Sequence, residues 1–362
     1  QLIAGPIVHH KEMLPQFAKD LIYKFNPSNL AIGLTIFILG LFKKVVLADN
    51  IALHATPVFE AAENGVAVTF FEAWGGALAY TFQLYFDFSG YSDMAIGLAR
   101  MFGIVLPLNF YSPYKANNII EFWKRWHITL SRFLKDYLYI PLGGNRKGSA
   151  RRYVNLMVTM ILGGLWHGAG WTFLAWGAMH GLYLCVNHFW RWLWKYGGKD
   201  ASYASYTTEL VSRIFTFLSV VVAWVMFRAE SFDAAISMYK GMFAFNGIAL
   251  PTWSERYLVN ISGIFSSPEF IYKGMFYNAV FGDVFIAVSM LSAMFAIVWF
   301  APNTLELVKL FNPALEFEKY KQLENKYLVW RFNTWTALLL ALLTAISLYF
   351  MSAPTEFLYF QF

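Results

Sequence analysis

This chain of 362 residues has few charged side chains and a single cysteine. Only 14% of its residues are Asp, Glu, Lys or Arg, whereas an ordinary soluble domain contains about 25%. Hydrophobic residues make up 58% of the chain and aromatic residues 20%. This composition predicts a membrane protein with several spanning helices. The cysteine, Cys185, lies in an apolar stretch, so a disulfide framework is excluded and packing is favoured over thiol chemistry.

Common catalytic and metal-binding signatures are also missing from the sequence. It contains no G-x-S-x-G, H-E-x-x-H or G-x-G-x-x-G motif and no paired Cys/His spacing, which excludes the usual serine hydrolase, zinc protease and dinucleotide-binding patterns. The basic glycine loop at residues 143–148 lacks the GK[ST] spacing of a P-loop. We therefore expect no metal site and no bound cofactor, although this loop could hold a phosphate-bearing donor or a lipid headgroup.

The charges that are present are unevenly distributed. Residues 100–152 contain ten basic and two acidic side chains, a net charge of +8, whereas the whole chain carries +6. Residues 153–190 contain no charged side chain but include His167, His180 and His188. A basic belt followed by an uncharged run predicts a cytoplasmic lipid face next to intramembrane helices, rather than a surface for nucleic acid.

Apolar segments near the 17–25 residues that cross a bilayer predict the helices. The predicted segments are 30–42 with a continuation through Lys43 and Lys44, 74–99, 153–190, 214–227, 284–300 and 332–353. Segment 153–190 is too long for one crossing, and its glycines at 163–164 and 168–170 are expected to break it into a bent pair. The positive-inside rule places both ends of this pair in the cytoplasm, residues 228–276 outside, 301–331 inside and the C-terminus outside.

Residues 119–138 predict one amphipathic helix at the membrane interface, because apolar side chains recur there at helical spacing opposite a basic face. Asn117 and Asn118 are candidate N-caps. His127 falls on the apolar side of this helix. It is interpreted either as an interfacial histidine bonded to a carbonyl or as a site residue.

His167 is the strongest single candidate for chemistry. It follows Arg152 by 15 residues, which places it about 22 Å along a helix and inside the hydrocarbon core. Ionisable side chains at that depth are usually functional, and burial favours the neutral imidazole that a general base requires. The alternative is a packing motif, because Gly164 and Gly168 form a G-x-x-x-G pair around it. His180 favours packing, and His188 an interfacial position.

Two aspartates lie in the apolar segment 74–99 and need partners there. Asp87 and Asp93 either pair structurally with tyrosine, serine or Arg100, or line a polar path for substrate.

Three motifs resemble the membrane-bound O-acyltransferase family. Residues 121–127 read EFWKRWH, residues 136–148 read DYLYIPLGGNRKG, and residues 163–168 read GGLWHG. Residues 1–6, 85–93 and 357–362 are also similar to the branch that contains the bacterial alginate O-acetylation membrane proteins. The two signature histidines of the family fall on His127 and His167.

The resemblance implies an all-α, polytopic integral membrane protein with tilted and re-entrant helices around a central tunnel. It implies one acyltransferase domain over residues 1–362, from which N-terminal spans are expected to be missing. The implied reaction moves an acyl group, most simply acetyl, from a cytoplasmic thioester to a polysaccharide such as alginate outside the bacterial inner membrane. The donor would be acetyl-CoA or an acyl carrier, and a separate extracytoplasmic transferase is an implied partner.

The resemblance also implies roles for single residues. His167 would be the catalytic base, and His127 a second catalytic residue that orients substrate or polarises the carbonyl. The expected substrate-binding residues are Lys124, Arg125, Arg146, Lys147, Asp87 and Trp166. Peptidoglycan, cellulose or teichoic acid remain alternative acceptors. Outside this class, a transporter or a scaffold with structural histidines remains open.

Overall fold

The computed structural model describes residues 5–196, 206–256, 269–275, 284–319 and 330–351. The protein is mostly helical over these ranges. Its α-helices are α1 (His10–Phe17), α2 (Pro27–Phe42), α3 (Asp49–Glu63), α4 (Phe70–Met101), α5 (Ile119–Trp123), α6 (Ile128–Leu134), α7 (Gly148–His167), α8 (Trp171–Tyr196), α9 (Tyr206–Arg228), α10 (Phe232–Met242), α11 (Val284–Phe300), α12 (Thr304–Leu307) and α13 (Thr334–Phe350). Two short strands, β1 (Ile248–Ala249) and β2 (Phe270–Ile271), pair in parallel. Two π-helical stretches, Lys43–Ala48 and Lys135–Tyr139, follow α2 and α6.

Helix α4 is the central element of the fold and packs against α2, α3, α9, α10 and α11. Glycines set its approach to α2. A Cβ atom built on Gly33 would lie 2.5 Å from the carbonyl oxygen of Gly97, and one built on Gly40 would lie 2.6 Å from that of Gly90. The two antiparallel backbones therefore touch, as small residues allow at helix crossings in membrane proteins.

Close approach of α2 and α4 brings a group of buried charges together. Lys43 Nζ lies 2.6 Å from a carboxylate oxygen of Asp93, and Lys44 Nζ lies 2.8 Å from Asp87 and 2.5 Å from Asp49. These side chains are at most 15% exposed. Carboxylates inside a membrane require a partner, and these lysines provide one for each aspartate. The ion pairs therefore support the structural interpretation of Asp87 and Asp93.

The partners of the two aspartates differ from those expected. The sequence suggested tyrosine, serine or Arg100, but the ion-pair partners are lysines that lie more than 40 positions upstream, where α2 continues as a π-helix. Arg100 instead donates a hydrogen bond to the backbone carbonyl of Phe311. The register of α2 against α4 decides this pairing.

Most predicted apolar segments form helices close to their expected bounds. Helix α11 matches segment 284–300, α13 lies within 332–353, and α9 extends segment 214–227 at its start. Within the part of the chain that the structure describes, two helical stretches are long and apolar enough to cross a membrane, Pro27–Glu63 and Thr207–Arg228. The full number of crossings and their orientation stay predictions.

The amphipathic helix expected over residues 119–138 is broken, so that prediction is wrong. Helix α5 ends at Trp123, and α6 begins only at Ile128. His127 adopts a left-handed conformation, with φ 42° and ψ 54°. The backbone amide of Ile128 donates to the carbonyl of Asn109, and that of Tyr111 donates to the carbonyl of Arg125. These tertiary hydrogen bonds replace helical ones. Of the two proposed caps, Asn118 accepts from the amide of Glu121 at 3.0 Å.

The uncharged run forms the expected helix pair, α7 and α8, but only one of the two glycine groups breaks it. The break lies at Gly168–Gly170, whereas Gly163 and Gly164 lie inside α7. A Cβ atom on Gly164 would clash with the backbone carbonyl of Phe173 in α8. Gly164 therefore permits close helix contact rather than a bend, and the expectation that it breaks the helix is wrong.

Candidate active site

His127 is buried at the junction before α6, where only 2% of it is exposed. Its ring centroid lies 4.7 Å from that of Phe88 in α4, with the rings perpendicular, and 6.4 Å from that of Phe110. Two aromatic side chains from different segments thus restrict rotation of the imidazole. The sequence placed His127 on an apolar face, and the structure places it among apolar rings, although the helix used for that prediction is interrupted.

A buried asparagine holds His127 by a hydrogen bond. Nδ1 of His127 lies 3.1 Å from Oδ1 of Asn109. The same oxygen accepts from the backbone amide of Thr129 at 3.3 Å and from its hydroxyl at 2.9 Å. The amide nitrogen of Asn109 donates to the hydroxyl of Ser92 at 3.0 Å. Asn109 was not among the predicted site residues, although it is the single polar residue in the apolar stretch 104–110.

His167 is the last residue of α7, directly before the glycine break. Its ring contacts three aromatic rings from three helices, at centroid distances of 5.1 Å to Trp166, 5.2 Å to Trp176 of α8 and 5.1 Å to Phe227 of α9. The end of α7 is therefore enclosed by α8 and α9. Such an apolar surrounding favours the neutral form of an imidazole.

Trp166 connects the two histidines. The centroid of its ring lies 6.1 Å from the ring of His127 and 5.1 Å from the ring of His167. Trp166 itself is 43% exposed, so part of the indole is accessible to a substrate. The structure thus brings together three of the residues that the sequence nominated as catalytic or substrate-binding.

The nominated cations are divided between exposed and paired positions. Lys124 is exposed at the C-terminal end of α5. Arg125 is buried and forms an ion pair with Glu121, so its predicted role as an anion ligand gains no support from its position. Arg146 and Lys147 are exposed in the turn before α7. They lie at the opposite end of that 20-residue helix from His167, a separation of about 28 Å along the axis.

Asp87 was predicted to contact the substrate, but it lies at the contact between α4 and the end of α2. It is 2% exposed and pairs with Lys44, on the face of α4 that meets the end of α2. Its position favours the structural alternative. Among the described residues, no group of three or more His, Cys, Asp and Glu side chains is arranged to hold a metal ion.

His180 is fully buried behind the site. Its ring lies 5.0 Å from Trp176, 5.1 Å from Trp123 and 5.7 Å from Tyr183. Trp176 therefore contacts both His167 and His180. His127 and His167 both contact Trp166, whereas the ring contacts of His180 are with other aromatic side chains. These surroundings of His180 agree with a packing role.

A cavity of about 700 Å³ lies between α8 and α9. Its lining is mostly apolar, with amide and hydroxyl groups from Asn117, Asn118, Asn187 and Thr216. Tyr183 lines the cavity and also contacts His180. A continuous series of ring contacts, through Tyr183, His180 and Trp176, joins this cavity to His167.

Comparisons with known proteins identify the family of this chain. Residues 1–219 match the model of the membrane-bound O-acyltransferase family. A peptidoglycan O-acetyltransferase of Helicobacter pylori is 51% identical over 250 residues, which cover 69% of this chain and 46% of that protein. A probable alginate O-acetylase of Pseudomonas putida is 49% identical over 262 residues, 72% of this chain and 50% of that protein. A teichoic acid D-alanyltransferase of Streptococcus thermophilus is 30% identical over 206 residues, 52% of this chain and 49% of that protein.

The family match assigns this mostly helical protein to a class of membrane-bound acyltransferases. The chain belongs to the membrane-bound O-acyltransferase family. It spans about half the length of the curated relatives it matches.

Proposed function

We propose that this chain transfers an acyl group, most simply acetyl, from a thioester to a hydroxyl group of an extracytoplasmic polysaccharide. The observation that carries the proposal is the convergence of His127 and His167 on the partly exposed ring of Trp166. A neutral imidazole next to an accessible aromatic surface can accept the proton of a hydroxyl held there. Family membership supports this chemistry over the transporter and scaffold alternatives.

In the proposed reaction, His167 takes the proton from the acceptor hydroxyl as its oxygen attacks the thioester carbonyl. A carbon–oxygen bond forms, the carbon–sulfur bond breaks, and the proton passes from the imidazole to the leaving thiolate. His127 orients the substrate or exchanges a proton with the reacting groups. A positioned base typically contributes about 10²–10⁴-fold.

Acetyl-CoA or an acyl carrier is the proposed donor, acting as a substrate and not as a resident cofactor. Lys124, Arg146 and Lys147 are exposed cations suited to contact its phosphates. The cavity between α8 and α9 is the proposed route for the thioester arm. Its amide groups match the neutral amides of a pantetheine arm.

The protein is proposed to be a multi-pass protein of the bacterial inner membrane, with one acyltransferase domain around a tunnel. The names of two relatives suggest which polysaccharide accepts the acyl group. The names of the relatives in Helicobacter pylori and Pseudomonas putida point to peptidoglycan and alginate respectively. A separate extracytoplasmic transferase is the proposed partner that passes the acyl group to the polymer.

The test follows the fate of a label. Membrane vesicles containing the full-length protein receive acetyl-CoA labelled in the acetyl group, with alginate or peptidoglycan fragments on the opposite side. The proposal predicts thioester cleavage with label in ester linkage to one glycan. Label that crosses the membrane with its thioester intact would support a transporter instead. If alginate receives no label but peptidoglycan does, the protein is still an acyltransferase and its acceptor is peptidoglycan.

A further inference from the structure

We infer that Asn109 is a positioning residue that holds His127 as the tautomer with its proton on Nδ1, which leaves the unprotonated Nε2 as the atom that can accept a proton. This inference rests on the proposed function, because it assigns the reactive atom of one of the two site histidines.

The hydrogen bonds around Asn109 identify its oxygen. The backbone N–H of Thr129 can only donate, and it points to Oδ1 of Asn109 at 3.3 Å. The amide nitrogen of Asn109 donates to Ser92 on α4 at 3.0 Å. The N–H of Thr129 therefore fixes the orientation of the asparagine amide, and the atom 3.1 Å from Nδ1 of His127 is a carbonyl oxygen.

A carbonyl oxygen accepts hydrogen bonds and cannot donate them, so Nδ1 of His127 must carry the proton. The hydrogen bond on one ring nitrogen sets the state of the other. In the neutral ring, Nε2 then holds a lone pair. After Nε2 takes a proton, Asn109 still accepts from Nδ1, so one geometry serves both states of the ring.

The support for this contact extends through the backbone. Asn109 is fully buried, and its own carbonyl accepts from the amide of Ile128, the residue after His127. Phe88 lies perpendicular to the imidazole and limits its rotation. Thr129 links the network to the N-terminal segment, because its hydroxyl accepts from the amide of Ile7 at 3.1 Å. The left-handed backbone of His127 is thus held by contacts from three segments.

The direct test is nitrogen NMR of the full-length protein with histidine labelled in the ring. The chain has seven histidines, and the spectrum of His127→Gln assigns the His127 signals by difference. We expect a protonated Nδ1 and an unprotonated Nε2 in the wild type. A proton on Nε2 of neutral His127 in the wild type would overturn the inference, whether or not the protein proves to transfer acyl groups.

Variants separate positioning from folding. Asn109→Leu removes the acceptor at similar size, and Asn109→Asp restores it. We expect Asn109→Leu to lose the Nδ1–H preference and to lower kcat about 10–100-fold, the range typical of residues that orient a site ligand, with KM for the donor changed less than about threefold. Asn109→Asp should recover the tautomer and most of kcat.

Ser92→Ala is the matched control. It removes the partner of the asparagine nitrogen but keeps the oxygen that faces His127, so the tautomer should be retained and kcat should stay within about threefold of the wild-type value. If Asn109→Leu kept both the tautomer and kcat, Asn109 would be a structural residue only. If Asn109→Leu failed to accumulate, the wild-type spectrum alone would still decide the assignment.

Discussion

The ring of Trp166 lies 6.1 Å from the ring of His127, although 39 positions separate them in the chain. This contact joins the end of α7 to the broken segment between α5 and α6. It places the partly exposed indole next to both site histidines, because the ring of His167 lies 5.1 Å from that of Trp166. A substrate held against Trp166 would therefore reach both imidazoles.

Replacing Trp166 tests this relationship. Trp166→Ala removes the surface that both histidines contact, and misplacement of a substrate by about 1 Å can cost 10²-fold in rate. We expect kcat for acyl transfer to fall on the order of 10²-fold, while Trp166→Phe, which keeps a ring, should lose less than about tenfold. Trp171→Ala is the control, since Trp171 is close in sequence and 75% exposed. Equal losses in Trp166→Ala and Trp171→Ala would contradict the assigned role.

The glycine contacts between α2 and α4 predict a strong effect on stability. Gly40→Leu would place a side chain where a Cβ atom already lies 2.6 Å from the carbonyl of Gly90. Overpacking of this kind typically costs about 1–3 kcal/mol or more, so thermal unfolding in detergent should begin several degrees lower. Leu34→Ala, at an exposed position of the same helix, should change stability much less. An unchanged unfolding temperature for Gly40→Leu would show that the helices are further apart.

The buried pair of Lys43 and Asp93 predicts non-additive mutants. Lys43→Met leaves the carboxylate of Asp93 without its lysine partner, and removal of one partner from a buried ion pair costs about 3–5 kcal/mol. Because Lys43→Met/Asp93→Asn removes both charges, it should regain most of that stability. A double-mutant cycle by denaturant or thermal unfolding measures the coupling. A double mutant as unstable as the sum of the single mutants would contradict direct pairing.

If the cavity between α8 and α9 binds the donor, filling it should raise the KM for acetyl-CoA. Thr216→Trp fills part of the cavity, so KM for acetyl-CoA should rise several-fold while the protein remains folded. Leu218→Trp provides the comparison, because Leu218 lies on the same helix, is 38% exposed and does not line the cavity. Steady-state kinetics with varied donor concentration checks this. Identical KM values in both variants would place the donor elsewhere.

Sequence patterns predicted those elements whose signal is local. Helices α11 and α13 are uncharged and mostly apolar, so composition alone located them. The break at His127 could not be predicted in this way, since residues 119–138 carry a helical pattern throughout. It depends on backbone hydrogen bonds to Asn109 and Tyr111, which lie on a different segment, and such tertiary contacts routinely override local propensity.

Residues of the candidate site were partly accessible from the sequence. His127 and His167 were nominated as catalytic because their surrounding motifs resemble those of a family. Helical spacing alone left an interfacial histidine bonded to a carbonyl as the alternative for His127 and a packing motif as the alternative for His167. Asn109, Trp176 and Phe227 were not nominated. These three residues contact the site histidines only because α4, α7, α8 and α9 pack together. The spacing of residues along the chain does not predict that packing. The pairing of Asp87 with Lys44 was hidden for the same reason.

The central claim is that His167 performs the proton transfer of an acyltransferase. The most direct measurement compares thioester cleavage and acyl transfer to glycan for the wild-type protein, His167→Ala and His188→Ala, at matched levels in membranes. Since a placed base contributes about 10²–10⁴-fold, the account predicts that His167→Ala loses transfer by that factor while it still inserts and folds, and that His188→Ala transfers normally. Normal transfer by folded His167→Ala would contradict the account and leave His167 as a packing residue.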